Sequence, residues 1–172
     1  MTRMRLLWSI ALLPALLFLP GAARAAGFDV NGVALGGAEA DVLKAFPSAR
    51  CKPLEWNSDA ADRRCDDGKV VVAGAVAKIT VYLKRDAIQA YDLRFDMQHL
   101  DRLAGHFKNR WGKPASEARD KIYKDSKEVR EVYKVAWLQG KDRAVLTSLS
   151  TGKRASLSVA RGNFEEEIYR VK

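Results

Sequence analysis

The fold of this chain is decided by residues 75–111, which read AVAKITVYLKRDAIQAYDLRFDMQHLDRLAGHFKNRW. Apolar residues alternate with polar ones along 75–83 and again along 88–95, as expected of strands that bury one face. Between the two strands, residues 84–86 read Lys-Arg-Asp and favour a turn. This part of the sequence therefore predicts an antiparallel β-hairpin.

A long amphipathic helix is predicted directly after the hairpin. Its apolar residues recur at spacings of three and four, and they are Met97, Leu100, Leu103, Ala104, Phe107 and Trp111. Asp96 is placed to cap the amino-terminal end, whereas Gly112 and Pro114 are placed to end the helix. Such a stripe is typical of a helix that faces a protein core, and it shows no sign of a cofactor site.

Upstream of the hairpin, the sequence predicts a shorter set of similar elements. Residues 28–35 are predicted to be extended, and 38–46 are predicted to form a short helix that ends at Pro47. Residues 70–73 are expected to form a further strand before Gly74. One short helix and at least one strand therefore precede the hairpin.

The order of elements predicts an α+β protein whose helices pack on one face of an antiparallel sheet. Three or four strands are expected after the long helix, and the clearest lie at 129–137, 143–150 and 155–159. Residues 163–172 receive no assignment. Residues 28–95 and 96–161 each read as a helix followed by a β-meander. We therefore hypothesise two half-repeats inside one domain that spans 26–172.

Residues 1–25 have the three parts of a secretory signal peptide: a basic start, an apolar run and an Ala-x-Ala end. We expect cleavage between Ala25 and Ala26. The apolar run over 6–19 is shorter than the roughly 20 residues that a spanning helix needs, so no stable membrane span is expected after cleavage. No cysteine lies near the junction to carry a lipid. The expected location is the Gram-negative periplasm, with secretion as the alternative.

The net charge of the chain is +9, and part of it comes from Arg3, Arg5 and Arg24 in the expected leader. The remaining basic residues are scattered among acidic ones. A moderate positive charge favours acidic partners slightly and also serves solubility. Because an exported protein rarely meets nucleic acid, we do not expect nucleic-acid binding.

Cys51 and Cys65 are the two cysteines of the chain. In an oxidising compartment an even pair predicts a disulfide, which would close a short polar loop or an irregular hairpin. In the chain-entropy model such a crosslink contributes about 3 kcal/mol. A redox-active pair would favour the closer spacing Cys-x-x-Cys. A structural disulfide is therefore the prediction.

No group of residues predicts catalysis, a metal site or a cofactor. His99 and His106 are seven residues apart on the long helix, off its apolar stripe, and are expected to be partly exposed. Residues 150–153 match the Ser-x-x-Lys motif of penicillin-binding proteins, but they fall in a predicted turn and not at the start of a buried helix. Three consecutive glutamates at 165–167 point in different directions. We therefore do not expect an enzyme.

The positions of the glycine, proline and cysteine residues between the predicted elements resemble those of known families. Residues 35–47 read LGGAEADVLKAFP, a cysteine pair follows, and a later helix ends in Trp111-Gly-Lys-Pro114 before a β-meander. This arrangement resembles the β-lactamase-inhibitor-protein-like repeats and the small outer-membrane assembly lipoproteins of the SmpA/OmlA type. The resemblance implies a binding or assembly module. The chain lacks the lipidated cysteine of the lipoproteins, and no residue roles carry over.

The candidate binding residues lie on the polar face of the strand at 75–83. Tyr82 is expected to be an exposed aromatic anchor, with Lys78 and Thr80 beside it; a residue that merely covers a sheet edge is the simpler alternative. The expected function is non-enzymatic binding of another envelope or secreted protein, either an envelope-assembly factor or a secreted hydrolase that it inhibits. The alternative is a pocket between helix and sheet for a small ligand or a cell-wall fragment.

Overall fold

The computed structural model describes residues 27–124 and 127–170. The predicted signal peptide and its cleavage at Ala25 and Ala26 lie outside the described residues. In chain order the elements are β1 (Asp29–Val30), β2 (Val33–Ala34), α1 (Glu39–Ala45), β3 (Arg50–Pro53), β4 (Arg63–Val72), β5 (Ala75–Lys84), β6 (Ala87–Asp96), α2 (Leu100–Trp111), β7 (Ser116–Lys124), β8 (Lys127–Gln139), β9 (Asp142–Leu149), β10 (Arg154–Arg161) and α3 (Phe164–Glu167).

Within the described residues the strands form one small hairpin sheet and one large antiparallel sheet. The large sheet has eight strands in the order β3-β4-β5-β6-β10-β9-β8-β7. A helix followed by four strands thus occurs twice along the chain, and the two groups of strands meet where β6 pairs with β10. The prediction of an α+β protein built on an antiparallel sheet is confirmed. Similarity between its two halves stays a prediction.

The central hairpin forms as the sequence predicted. β5 and β6 pair along their lengths, with Ile79 opposite Leu93. The turn between them has two residues with positive φ, Arg85 at 50° and Asp86 at 62°. Such a turn matches the right-handed twist of the flanking strands, which explains why a polar pair closes this hairpin.

Helix α2 follows after one turn of 3-10 helix, Met97–His99. The side chain of Asp96 accepts a hydrogen bond from the Gln98 backbone N–H at 3.0 Å, and Gly112 ends the helix with a φ of 84°. Gly112 therefore ends the helix as predicted, whereas Asp96 caps the 3-10 turn that precedes α2 and not α2 itself. Arg110 near the carboxyl end donates to the buried carboxylate of Asp29 in β1 at 2.6 Å, which ties the helix to the amino-terminal hairpin.

One apolar core runs through both groups of strands. Buried residues of α1 and α2, among them Val42, Leu103 and Phe107, belong to the same cluster as buried residues of the sheet such as Leu93 and Leu157. Alternate residues of β5 and of β10, such as Ile79 and Leu157, are buried in this cluster. The opposite side of the sheet therefore carries the other set of alternate side chains.

Two predicted elements differ from the structure, and one strand was not predicted. Residues 28–35 form the β1–β2 hairpin and not one extended strand, because Asn31 and Gly32 adopt positive φ values and reverse the chain. β4 begins at Arg63, well before the strand predicted at 70–73. β7 was not predicted, because Ser116–Lys124 is a charged edge strand without apolar alternation.

Across the described ranges, no helix is long and apolar enough to cross a membrane.

Candidate functional site

The side of the large sheet that faces away from the core is the candidate site, and we name it the open face. It is defined by two rows of residues that lie opposite one another across five strands, from β5 to β8. The first row is Lys78, Arg94, Ser156, Thr147 and Lys134. The second row is Thr80, Asp92, Ser158, Val145 and Ala136.

The three predicted binding residues lie on this face, but one of them is not exposed. Lys78 is exposed and Thr80 is half-buried, whereas Tyr82 is only 7% exposed. The expectation of an exposed aromatic anchor at Tyr82 is wrong, because Phe164 packs against its ring with the centroids 5.3 Å apart. Partner binding by these three residues stays a prediction.

The covering segment, residues 164–169, is the part of the chain that the sequence left largely unassigned. The Trp56 indole N–H donates to the Ile168 carbonyl at 2.8 Å, and the Tyr169 ring stacks on Trp56 at 5.7 Å. Phe164 and Ile168 are buried in a second, smaller apolar cluster with Tyr82. We name this segment the C-terminal cover. Its sequence signal was the spacing of four between Phe164 and Ile168, which places both on one side of a helical turn.

Beside the C-terminal cover the open face contains a depression of about 320 Å³, which we name the cationic groove. Its lining combines aromatic side chains, cations and two polar side chains from the strands. The aromatic residues are Trp56, Tyr82 and Tyr169, the cations are Arg64, Lys78 and Arg94, and the polar residues are Thr80 and Asp92. All three predicted binding residues therefore line one groove.

A second depression of about 150 Å³ adjoins the groove and shares Lys78 and Arg94 with it. Val76, Asp96 and Arg154 lie along this extension. Because the two shared cations belong to both depressions, they lie between the two. The pair is therefore the centre of a longer concave track on the open face.

Like charges face each other at this centre. Lys78 is directly opposite Arg94 in the β5–β6 register, an arrangement that destabilises a sheet when the charges have no counterion. Among the described residues neither side chain forms a direct ion pair, although Arg94 is near enough to Asp92 to favour its charged form. The chain therefore presents two cations at the middle of the track.

The nearby acids are engaged by the chain's own groups. Asp66 accepts a hydrogen bond from the Thr80 hydroxyl at 2.8 Å and lies 3.1 Å from Arg64 Nε. Asp96 caps the turn before α2. Burial raises the pKa of Asp92, while the Ser158 hydroxyl and Arg94 act in the opposite direction.

Burial also changes the acidity of the covered tyrosine. Desolvation is the main cause that raises the pKa of Tyr82, and the neighbouring Tyr169 and Asp92 add to it. Tyr82 is consequently a neutral, buried side chain at physiological pH. In this position it supports the C-terminal cover and forms part of the wall of the groove.

The disulfide prediction is confirmed. Cys51 and Cys65 are bonded, and they lie directly opposite each other where β3 pairs with β4.

Glu39 lies close enough to both sulfurs to complete a set of three metal-ligand residue types. The disulfide leaves no thiolate there, and Glu39 accepts from Arg63 at 2.7 Å, so the set does not fit a metal ion.

The histidines, the serine of the Ser-x-x-Lys match and a glutamate of the 165–167 run all make contacts with neighbouring residues of the fold. His99 and His106 are both half-buried, and the His106 ring packs edge-on against Phe107. The Ser150 hydroxyl accepts a hydrogen bond from the Glu131 backbone N–H at 2.7 Å. Glu165 accepts from the Ser158 hydroxyl at 3.0 Å and pairs with Arg143.

The fold and the site define an α+β protein with a large antiparallel sheet that is open on one side. No family model matches the chain, and neither the curated proteins nor the solved structures contain a significant match. The resemblance to the two families of envelope modules therefore stays a prediction.

Proposed function

We propose that the chain is an exported, non-enzymatic binding protein that docks a protein partner through the open face. The observation that carries this proposal is the composition of that face. It is wide and polar, with small side chains such as Ser156 and Ser158 at its centre and exposed cations on either side. Of the described elements, the C-terminal cover lies over one end of it.

The half of the open face on β8 and β9 offers apolar contacts. Leu138 is 61% exposed and Leu149 is 38% exposed, and the register places two rows between them, Ala136–Val145 and Lys134–Thr147. Protein interaction surfaces combine exposed apolar side chains with polar and charged ones, as these two strands do. The cationic groove and this apolar half together supply the mixed chemistry of an interface.

Three features support the class and location of the protein. A disulfide persists in oxidising compartments, which fits the leader predicted at 1–25. The order of helix and four strands, which occurs twice, supports the proposed half-repeats. The shared core cluster of α1, α2 and the sheet supports packing of the helices on the side opposite the open face. The proposed targets are envelope-assembly factors or a secreted hydrolase.

Site-specific photocrosslinking in living cells tests the docking surface. A photoreactive residue at Thr147 probes the open face, and one at Asp101, which is exposed on α2, serves as the matched control. We expect one dominant crosslinked protein from position 147 and none from position 101. Equal crosslinking from the two positions, or no product at 147, would contradict the proposal.

The cationic groove also favours a second candidate, a small-ligand or cell-wall-fragment binder. Its volume of about 320 Å³ falls in the size range of ligand pockets, and it combines aromatic walls with a few charged groups. The groove lies on the open face and not between helix and sheet, where the sequence placed the pocket. Native mass spectrometry of the purified protein would reveal a bound small molecule if this candidate is correct.

A further inference from the structure

We propose that the partner presents an acidic, extended segment that lies in the cationic groove and crosses the Lys78–Arg94 pair. This inference rests on the proposed docking function and names the chemistry of the partner at the groove. It is carried by the charges, the shape and the length of the track formed by the two adjoining depressions.

The two positive charges at the centre of the track favour binding of an anion. Lys78 and Arg94 are both exposed and lie directly opposite each other on neighbouring strands. A carboxylate placed between them would replace a repulsion by two attractions, and Arg94 can offer a planar pair of N–H donors. The gain in electrostatic attraction is large for this pair, because the described residues provide no direct counterion.

The cations at both ends extend the same chemistry. Arg154 lines the smaller depression on one side of the pair, and Arg64, which already lies 3.1 Å from Asp66, lines the groove on the other. Each acid of the track already interacts with groups of the chain: Asp66 with Thr80 and Arg64, Asp92 with Ser158 and Arg94, and Asp96 with the turn that it caps. The track therefore offers more free cationic than free anionic groups to a bound chain.

The length of the track fits an extended chain better than a single small anion. The depressions follow β5 from Tyr82 to Val76, six residue steps, which at about 3.3 Å per residue is roughly 20 Å. An extended peptide of about six residues covers that distance. The Trp56 and Tyr169 rings at one end supply an apolar wall for a side chain of the segment.

The shape of the track favours a peptide over a membrane surface. The C-terminal cover borders the groove on one side, with Tyr169 exposed on its rim. A flat layer of anionic head groups would meet this rim first, whereas an extended chain can enter the depression. An acidic peptide is therefore the occupant that the charge and the shape favour together.

The test measures binding of a fluorescein-labelled peptide of six alternating aspartate and serine residues to the purified protein by fluorescence anisotropy. We expect Lys78→Glu and Arg94→Glu each to weaken binding about tenfold or more, since a like charge then faces the peptide. Lys44→Glu is the matched control, because it makes the same charge change at an exposed position of α1, outside the open face. We expect it to change the affinity less than about twofold, and we expect added salt to weaken binding.

Three results would overturn the inference. The first is an equal loss of affinity in Lys78→Glu and Lys44→Glu. The second is equal binding of the peptide with asparagine in place of aspartate. The third is binding of phosphatidylglycerol vesicles without binding of the peptide. Crosslinking from Thr147 separates this failure from failure of the proposed function. If a specific protein crosslinks at 147 and any of these three results is found, the docking proposal stands and the acidic segment is rejected. If no protein crosslinks at 147, the docking proposal itself is rejected.

Discussion

Tyr91 has a buried hydroxyl whose removal should stabilise the folded state. It is 1% exposed within the core, and its buried hydroxyl has no hydrogen-bond partner among residues 27–124 and 127–170. A buried, unpaired hydroxyl costs about 1–3 kcal/mol relative to a paired one. We expect Tyr91→Phe to raise the free energy of unfolding by roughly 1 kcal/mol at pH 7, as measured by urea denaturation.

The matched control for this substitution is Tyr133→Phe. The Tyr133 hydroxyl donates to Glu117 at 2.5 Å, so its removal takes away a hydrogen bond to a charged acceptor. We expect this variant to lose roughly 1 kcal/mol. A loss of stability in Tyr91→Phe as large as that in Tyr133→Phe would contradict the role assigned to the unpaired hydroxyl.

The same buried tyrosines predict a loss of stability in alkali. Burial is the main cause that raises the pKa of both Tyr82 and Tyr91 above that of an unfolded tyrosine. The folded state therefore keeps these protons more tightly, so the stabilisation is complete below about pH 10 and is lost as pH rises further. We expect urea unfolding between pH 8 and 11 to show this fall, with a smaller slope in Tyr91→Phe. An unchanged slope would be against the prediction.

At the scale of elements, the sequence predicted a strand or helix correctly where the periodicity of its apolar residues matched the face that the element buries. β5, β6 and α2 each have one apolar face, so alternation or helical spacing revealed them. β7 has no such face because it is a charged edge strand. Tyr82 could not be assigned correctly, because its covering residue Phe164 is far away in the chain and periodicity carries no information on such contacts.

The C-terminal cover is the element whose removal should change the open face most. Phe164→Ala takes away the ring that packs on Tyr82 and should cost about 2–3 kcal/mol, since a largely buried phenylalanine is truncated at the edge of the core. We also expect the pKa of Tyr82 to fall towards that of an exposed tyrosine, measured by absorbance titration of tyrosinate. Glu166→Ala, an exposed change in the same helix, is the control and should leave both quantities unchanged.

Hydrogen exchange gives an independent view of the same variant. In Phe164→Ala we expect faster exchange over 164–170 while β5 and β6 stay protected, since the cover is held by few contacts. Equal acceleration throughout the sheet would mean that the cover is an integral part of the main core and not a separate lid on the open face.

At the scale of the whole molecule, the point of interest is the join between the two groups of four strands. The sequence suggested two half-repeats from the order of helix and strands, and it could not show how they meet. In the structure β6 pairs with β10, and Leu93 lies opposite Leu157 in that register. The core cluster is continuous across this join, with buried residues of both halves in contact within it.

A continuous core predicts that the halves unfold together. We expect hydrogen exchange in increasing urea to show protection of β4–β5 and of β8–β9 lost at the same midpoint. Leu157→Ala, which truncates a fully buried side chain at the join, should cost about 2–5 kcal/mol and lower both midpoints equally. If the variant instead separated the midpoints, each half would have a core of its own. The open face would then be a surface shared by two units that can move relative to each other, and not one rigid platform for a partner.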